Sequence, residues 1–187
     1  MFNRIAQKWG MPVIDLFASR DNNQVERFLT WRPDPLAVGT DAMQWNWDKE
    51  HLVYAFPHVS MIWKVLQKLK KHRRTTMILI IAPAWITRHW YPILLSLLIE
   101  RPILLGKNPD LLLDQQLQRH DLQVLGHLNL VAWKVSSDPA RNKGFLSQCP
   151  ISWQRDGQTP PSRPTMEPGK HGLAGVSQDR LFQYQQL

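Results

Sequence analysis

Residues 52–74 read LVYAFPHVSMIWKVLQKLKKHRR, and the reading of this stretch decides the fold. Leu52 to Phe56 is a short apolar run rich in strand-forming residues, and Pro57 breaks it. Ile62, Val65, Leu66 and Leu69 then recur at the spacing of one helical face, with Ser60 as an N-cap residue ahead of them. A strand that stops at a proline and turns into a helix is half of a strand–helix–strand unit. In an open α/β sheet, ligands bind in the crevice at the carboxyl end of such a strand. Phe56, Pro57, His58 and Val59 therefore occupy the address of an active site.

Working outward, residues 13–18 (VIDLFA) predict a buried strand with Asp15 near its carboxyl end. The stretch 19–48 holds Pro33, Pro35 and Gly39 and is expected to be an ordered loop. Residues 76–82 (TMILIIA) have the continuous apolar character of a central strand buried on both faces. A helix is expected over 89–100, with Pro92 in its first turn. Residues 102–105 and 128–135 are candidate final strands. This alternation predicts a doubly wound α/β sheet. From Ser137 onward, the last 51 residues hold 11 prolines and glycines with many Gln and Ser and no sustained periodicity, which predicts a disordered linker or tail over 137–187 after a folded domain over 1–136.

The 187 residues are 43% hydrophobic, enough for one well-cored domain. Lys and Arg outnumber Asp and Glu by 23 to 15, a net charge of +8 that favours an anionic partner, nucleic acid first. Six of those positive charges fall at Lys64, Lys68, Lys70, Lys71, Arg73 and Arg74. This run is either a solvated helix face or, beside Trp63 and Trp85, a phosphate-contacting surface. Cys149 is the single cysteine, so no internal disulfide or cysteine-rich zinc site is expected, and the location expected is intracellular, nuclear or cytoplasmic. The opening MFNRIAQKWG lacks the apolar core of a secretory signal, and prolines and charges interrupt the oiliest stretch, YPILLSLLIERPILL, so no membrane partner is expected.

Four stretches in register, WGMPVIDLFASRDNN, FLTWRPDPLAVGTDAMQWNW, LVYAFPHVSMIWKVLQKL and LIIAPAWITRHWYPILLSLL, resemble a segment of DIRS-type retrotransposon polyproteins. In those polyproteins the segment lies between the reverse transcriptase with its RNase H and the tyrosine recombinase. It is itself similar to phage-type Dam N6-adenine DNA methyltransferases. The resemblance covers roughly residues 2–136, with GLAGVSQDRLFQYQQL resembling a connector toward the recombinase. It implies a Rossmann-like, methyltransferase-type doubly wound sheet that uses S-adenosylmethionine if active. Asp15, Ala18 and Asp41 fall on its cofactor side, with Asn22, Met43 and Trp47 matching neighbouring positions.

The family's Asn-Pro-Pro-Tyr motif falls on Phe56, Pro57, His58 and Val59, and only the first proline survives. In such enzymes the asparagine accepts hydrogen bonds from the adenine amino group, and the aromatic ring stacks on the flipped base. Phe56 has no acceptor and Val59 no ring. The resemblance thus implies a degenerate, inactive module with nucleic acid and the neighbouring reverse transcriptase and recombinase parts as partners. An active adenine methyltransferase is the alternative.

Several residues keep two readings. Asp15 contacts the ribose of a nucleoside cofactor, or it caps a loop or pairs with Arg20. Asp15, Asp34, Asp41 and Asp48 are solvated acids or the metal cluster of an RNase H-like nuclease. His51, His58, His72 and His89 lack metal-site spacing. Trp31, Trp45, Trp47 and Trp90 are core residues or stacking platforms.

Overall fold

The computed structural model describes residues 1–71, 76–106, 129–150 and 172–186. The chain opens with helix α1 (Phe2–Trp9), whose Ile5, Ala6 and Trp9 are buried while its polar residues face outward. Strands β1 (Ile14–Asp15), β2 (Leu29–Thr30) and β3 (Gly39–Thr40) follow, all short. Then come β4 (Leu52–Ala55), α2 (Ile62–Lys71), β5 (Met77–Pro83), α3 (Tyr91–Ser96), β6 (Ile103–Leu104) and β7 (Leu130–Ser136). The last elements are α4 (Pro139–Gln148), β8 (Leu173–Ser177), β9 (Arg180–Gln183) and β10 (Gln185–Gln186).

The central sheet runs β1-β4-β5-β7-β6-β10, with β7 antiparallel to both of its neighbours and the other pairs parallel. A parallel bridge between Asp15 and Phe28 extends it past β1, supported by hydrogen bonds from Asp15 N to Arg27 O (2.9 Å) and Ala18 N to Leu29 O (3.1 Å). β2 in turn pairs with β3 in parallel. From the β3 side the strands thus follow the order 3-2-1-4-5. The chain steps outward from β1 to β3 and then returns to the other side of β1, so the order reverses between β1 and β4. At such a switch point the flanking connections diverge and leave a crevice at the strands' carboxyl ends.

Two apolar layers sandwich the sheet. On one face Ile14, Val53, Ala55, Ile78, Ile80 and Trp133 pack against α2 and α3. On the other, Leu52, Tyr54, Leu79, Ile81 and Ala132 meet Ile5 and Trp9 of α1. The helix expected after Pro57 forms as read: Ile62, Val65, Leu66 and Leu69 are at most 1% exposed, the stripe that holds α2 to the sheet. The strand expected over 76–82 is the central β5, observed as Met77–Pro83 and hydrogen-bonded to a parallel strand on one side and an antiparallel one on the other.

Three expectations are corrected. The loop expected over 19–48 contains β2 and β3, whose two-residue length leaves no periodicity to detect. The helix expected over 89–100 is confined to Tyr91–Ser96. Among its described residues, the tail expected over 137–187 carries one helix and three strands. α4 shows little amphipathic pattern because a polar residue anchors it. The side-chain amide of buried Asn142 donates to the carbonyls of Leu97 (2.8 Å) and Leu98 (3.2 Å), and Asp138 caps the helix by accepting from Ala140 N (2.9 Å). Phe182 of β9 is 1% exposed and stacks near Phe145, and β10 adds to the sheet beside β6. Residues 151–171 of the expected tail lie outside the described residues.

Candidate nucleic-acid interface

Asp15 ends β1 at the switch point and is 2% exposed. Its Oδ1 accepts from Phe17 N and its Oδ2 from Gln24 N, both at 3.2 Å, so the carboxyl pins the loop that leaves the strand. Burial raises its pKa to about 6, opposed by those two backbone donors. Arg20 pairs instead with Asp34, at 3.0 Å. Tyr54, paired with Asp15 across the parallel ladder, has its hydroxyl pKa pushed up by burial and by the neighbouring carboxylate.

The other residues expected from the resemblance to bind a cofactor are also held by their own loops. Ala18 is fixed through its N–H to Leu29 O. Asp41 follows β3 in the left-handed region (φ 55°), a conformation Asp tolerates because its side chain bonds locally. Its carboxylate accepts from Met43 N and Gln44 Nε2, both at 2.9 Å. Asn22 caps the turn at Ser19, its Oδ1 accepting from Ser19 N at 2.7 Å. Asp15, Asp34 and Asp41 thus each brace a separate loop, and among the described residues no group of three His, Cys, Asp or Glu comes together to hold a metal.

At the carboxyl end of β4, Phe56 is half-buried against the α1-side layer and Pro57 is buried. His58 is exposed, and its Nδ1 lies 2.8 Å from Ser60 Oγ and accepts from Ser60 N at 3.4 Å. His58, not the expected Ser60, therefore caps the 3-10 turn Val59–Met61 that leads into α2. Val59 packs on the core.

Chain direction brings a different set of side chains to this edge. Trp63 and Lys64 lie in the first turn of α2, and the segment after β5 supplies Trp85, Arg88 and His89. The rings of Trp63 and His89 meet edge to face at 4.9 Å, and the Arg88 guanidinium lies 5.2 Å from the Trp85 ring centre. Trp31, just beyond β2, is 79% exposed. Arg88 was not singled out from the sequence, and His89 was read there only as a histidine without metal-site spacing. Their signal, alternation of cationic and aromatic residues just past an apolar strand, was present in WITRHW.

The basic run expected from Lys64 to Arg74 divides. Lys64, Lys70 and Lys71 are exposed, and helical geometry puts them with Trp63 and Gln67 on one outward face. Lys68 is corrected: its ammonium donates to the carbonyls of Met43 (2.7 Å), Trp45 (2.6 Å) and Ala42 (3.3 Å), closing the loop after β3. Burial lowers its pKa, with Asp41 and Asp48 opposing. Arg73 and Arg74 lie outside the described residues. Trp47 is fully buried and Trp90 is 2% exposed, both core residues, whereas Trp45 is partly buried.

No protein-family model, curated protein or solved structure matches the chain. Among the described residues no helix is long and apolar enough to cross a membrane.

Proposed function

We propose that the chain is a nucleic-acid-binding module built on a Rossmann-like, methyltransferase-type sheet whose catalytic loop no longer supports methyl transfer. The observation that carries this reading is Trp63, an exposed ring paired edge to face with His89 and flanked by Lys64, on the helix that follows β4. Exposed aromatic rings beside cations suit unpaired bases, because the rings stack on bases while the cations meet phosphates. The 3-2-1-4-5 strand order, shared with dinucleotide-binding sheets, supports the Rossmann-like reading.

The residues present do not fit S-adenosylmethionine at the positions carried over for it. Both oxygens of Asp15 are taken by backbone N–H groups in a nearly sealed site, and the Asp41 carboxylate is likewise committed. Phe56 and Val59 pack on apolar layers, where they neither accept a hydrogen bond from a base nor stack on one. In this reading the chain serves a DIRS-type mobile element, next to its reverse transcriptase and recombinase, by holding nucleic acid.

Anisotropy titrations with single-stranded and duplex oligonucleotides at about 50 and 200 mM salt test the proposal. Binding is expected to weaken steeply with salt, to show little sequence preference and to be largely lost in the Lys64→Gln, Lys70→Gln, Lys71→Gln triple variant. Parent-like affinity in that variant, or transfer of a labelled methyl group to adenine by the unmodified chain, overturns it.

A further inference from the structure

The opposite edge of the sheet carries a second cationic feature. A cavity of about 530 Å³ opens where β6 and β10 begin and β7 ends, with α4 forming one wall. Arg101, Lys134 and Arg141 line it, against one carboxylate, Glu100, and Phe145 and Gln148 complete the wall from α4. Arg101 precedes β6, Lys134 lies on β7 and Arg141 on α4, so the cluster is a product of the fold and not of a charge run in the sequence.

The three cations are unequally committed. Lys134 Nζ donates to Trp9 O at 3.0 Å, at the carboxyl end of α1, where a positive charge is favourable. Burial lowers its pKa, and Arg141 adds to that while Glu100 opposes it. Among the described residues, Arg141 makes one 3.4 Å contact from Nε to Asp138 and its Nη1 lies 3.4 Å from the Met77 sulfur, with no bidentate carboxylate partner for its fork. Among the described residues no carboxylate lies within ion-pair distance of the Arg101 guanidinium. Two planar guanidinium forks and an ammonium around one space match the oxygens of a phosphate. The volume lies in the range of small-molecule sites and exceeds what a bare phosphate needs.

We propose that this cavity binds a nucleotide-sized phosphate monoester through Arg101 and Arg141, with Lys134 adding positive charge at its lining. Two sources share that chemistry: a free nucleoside monophosphate and the 5′-phosphate of a nucleic-acid strand. The site is separate from the exposed face of α2, so the inference stands apart from the function proposed above.

The test is isothermal titration of the full chain with a nucleoside monophosphate, with the same nucleoside lacking phosphate, and with a trinucleotide carrying either a 5′-phosphate or a 5′-hydroxyl. The monophosphate is expected to bind and the nucleoside not to. Arg101→Gln and Arg141→Gln, each with an unchanged circular dichroism spectrum, should weaken binding at least tenfold, whereas the Lys64, Lys70, Lys71 triple variant should retain it. Tighter binding of the free monophosphate assigns a small-molecule ligand. Preference for the 5′-phosphorylated trinucleotide over its 5′-hydroxyl form, again lost in both arginine variants, assigns a strand end. Equal binding with and without phosphate, or parent-like affinity in both arginine variants, overturns the proposal.

Discussion

The ammonium of Lys68 lies 4.7 Å from the centre of the Trp47 ring, beneath the loop whose carbonyls it binds. A lysine on the helix that follows β4 therefore holds the segment that precedes that strand. Lys68→Met keeps most of the apolar stem and removes the donors, leaving the carbonyls of Met43 and Trp45 without their partner. Hydrogen bonds to a charged group contribute about 1.5–3 kcal/mol each and are not additive, so a loss of about 2–4 kcal/mol in urea unfolding is expected. Nucleic-acid affinity, measured on the folded variant, should stay near the parent's. A stability change below about 0.5 kcal/mol would mark the contact as solvated surface.

Trp63 is 36% exposed and lies off the buried stripe of α2, so its removal should spare the fold. Stacking contributes about 1–3 kcal/mol per base, and Trp63→Ala is expected to weaken single-strand binding by a factor of roughly 5 to 150. Duplex binding, in which bases offer no free face, should change far less. An equal loss on both substrates would assign Trp63 to the architecture of α2 and not to stacking.

The parts of this fold that were legible in the sequence are those where burial repeats at a period. The α2 stripe and the apolar run of β5 declare themselves because every inward position is large and oily. β2 and β3 are too short to repeat anything, and α4 is fixed by Asn142, a polar anchor that periodicity cannot register. The same limit governs the sites. Lys68 and Lys70 are identical in sequence terms, yet helical geometry turns one toward the carbonyls of residues 42–45 and leaves the other in water. Arg101 stands far from Lys134 and Arg141 along the chain and meets them only through strand order.

Asp15 supplies a pH signature. Its pKa is raised by burial from 3.8 to about 6, so between those values the folded state binds a proton that the unfolded state releases. Its contribution to stability is complete below about pH 4 and is lost as pH rises through about 6. Relative to Asp15→Asn, which does not titrate, the parent should lose up to about 3 kcal/mol of stability between pH 4 and 7. Urea unfolding of both proteins across that range checks it. A difference that stays constant with pH would mean that the carboxyl ionises as it does in water.

The segment after Ser136 should behave as part of the core. Phe182 is 1% exposed against Phe145, and Ala174, 1% exposed, accepts from the Tyr91 hydroxyl through its carbonyl at 2.7 Å. The Tyr91 ring in turn meets Trp133 edge to face at 5.6 Å, so the hairpin of β8 and β9 covers residues at the middle of the sheet. Removing a buried phenylalanine ring costs about 3–5 kcal/mol, of which part is the cavity left behind. Phe182→Ala should therefore lower the unfolding free energy by a comparable amount. A chain ending at Ser136 should expose Tyr91, Leu95 and Trp133 together, and either fail to fold or bind a hydrophobic dye strongly. Limited proteolysis separates this from a simple tail: cleavage between α4 and β8 should leave the two pieces associated, held by β10 beside β6 and by the Tyr91 hydrogen bond. Release of a stable fragment of residues 1–136, with the melting temperature of the parent, would show that the elements after Ser136 ride on the domain without supporting it.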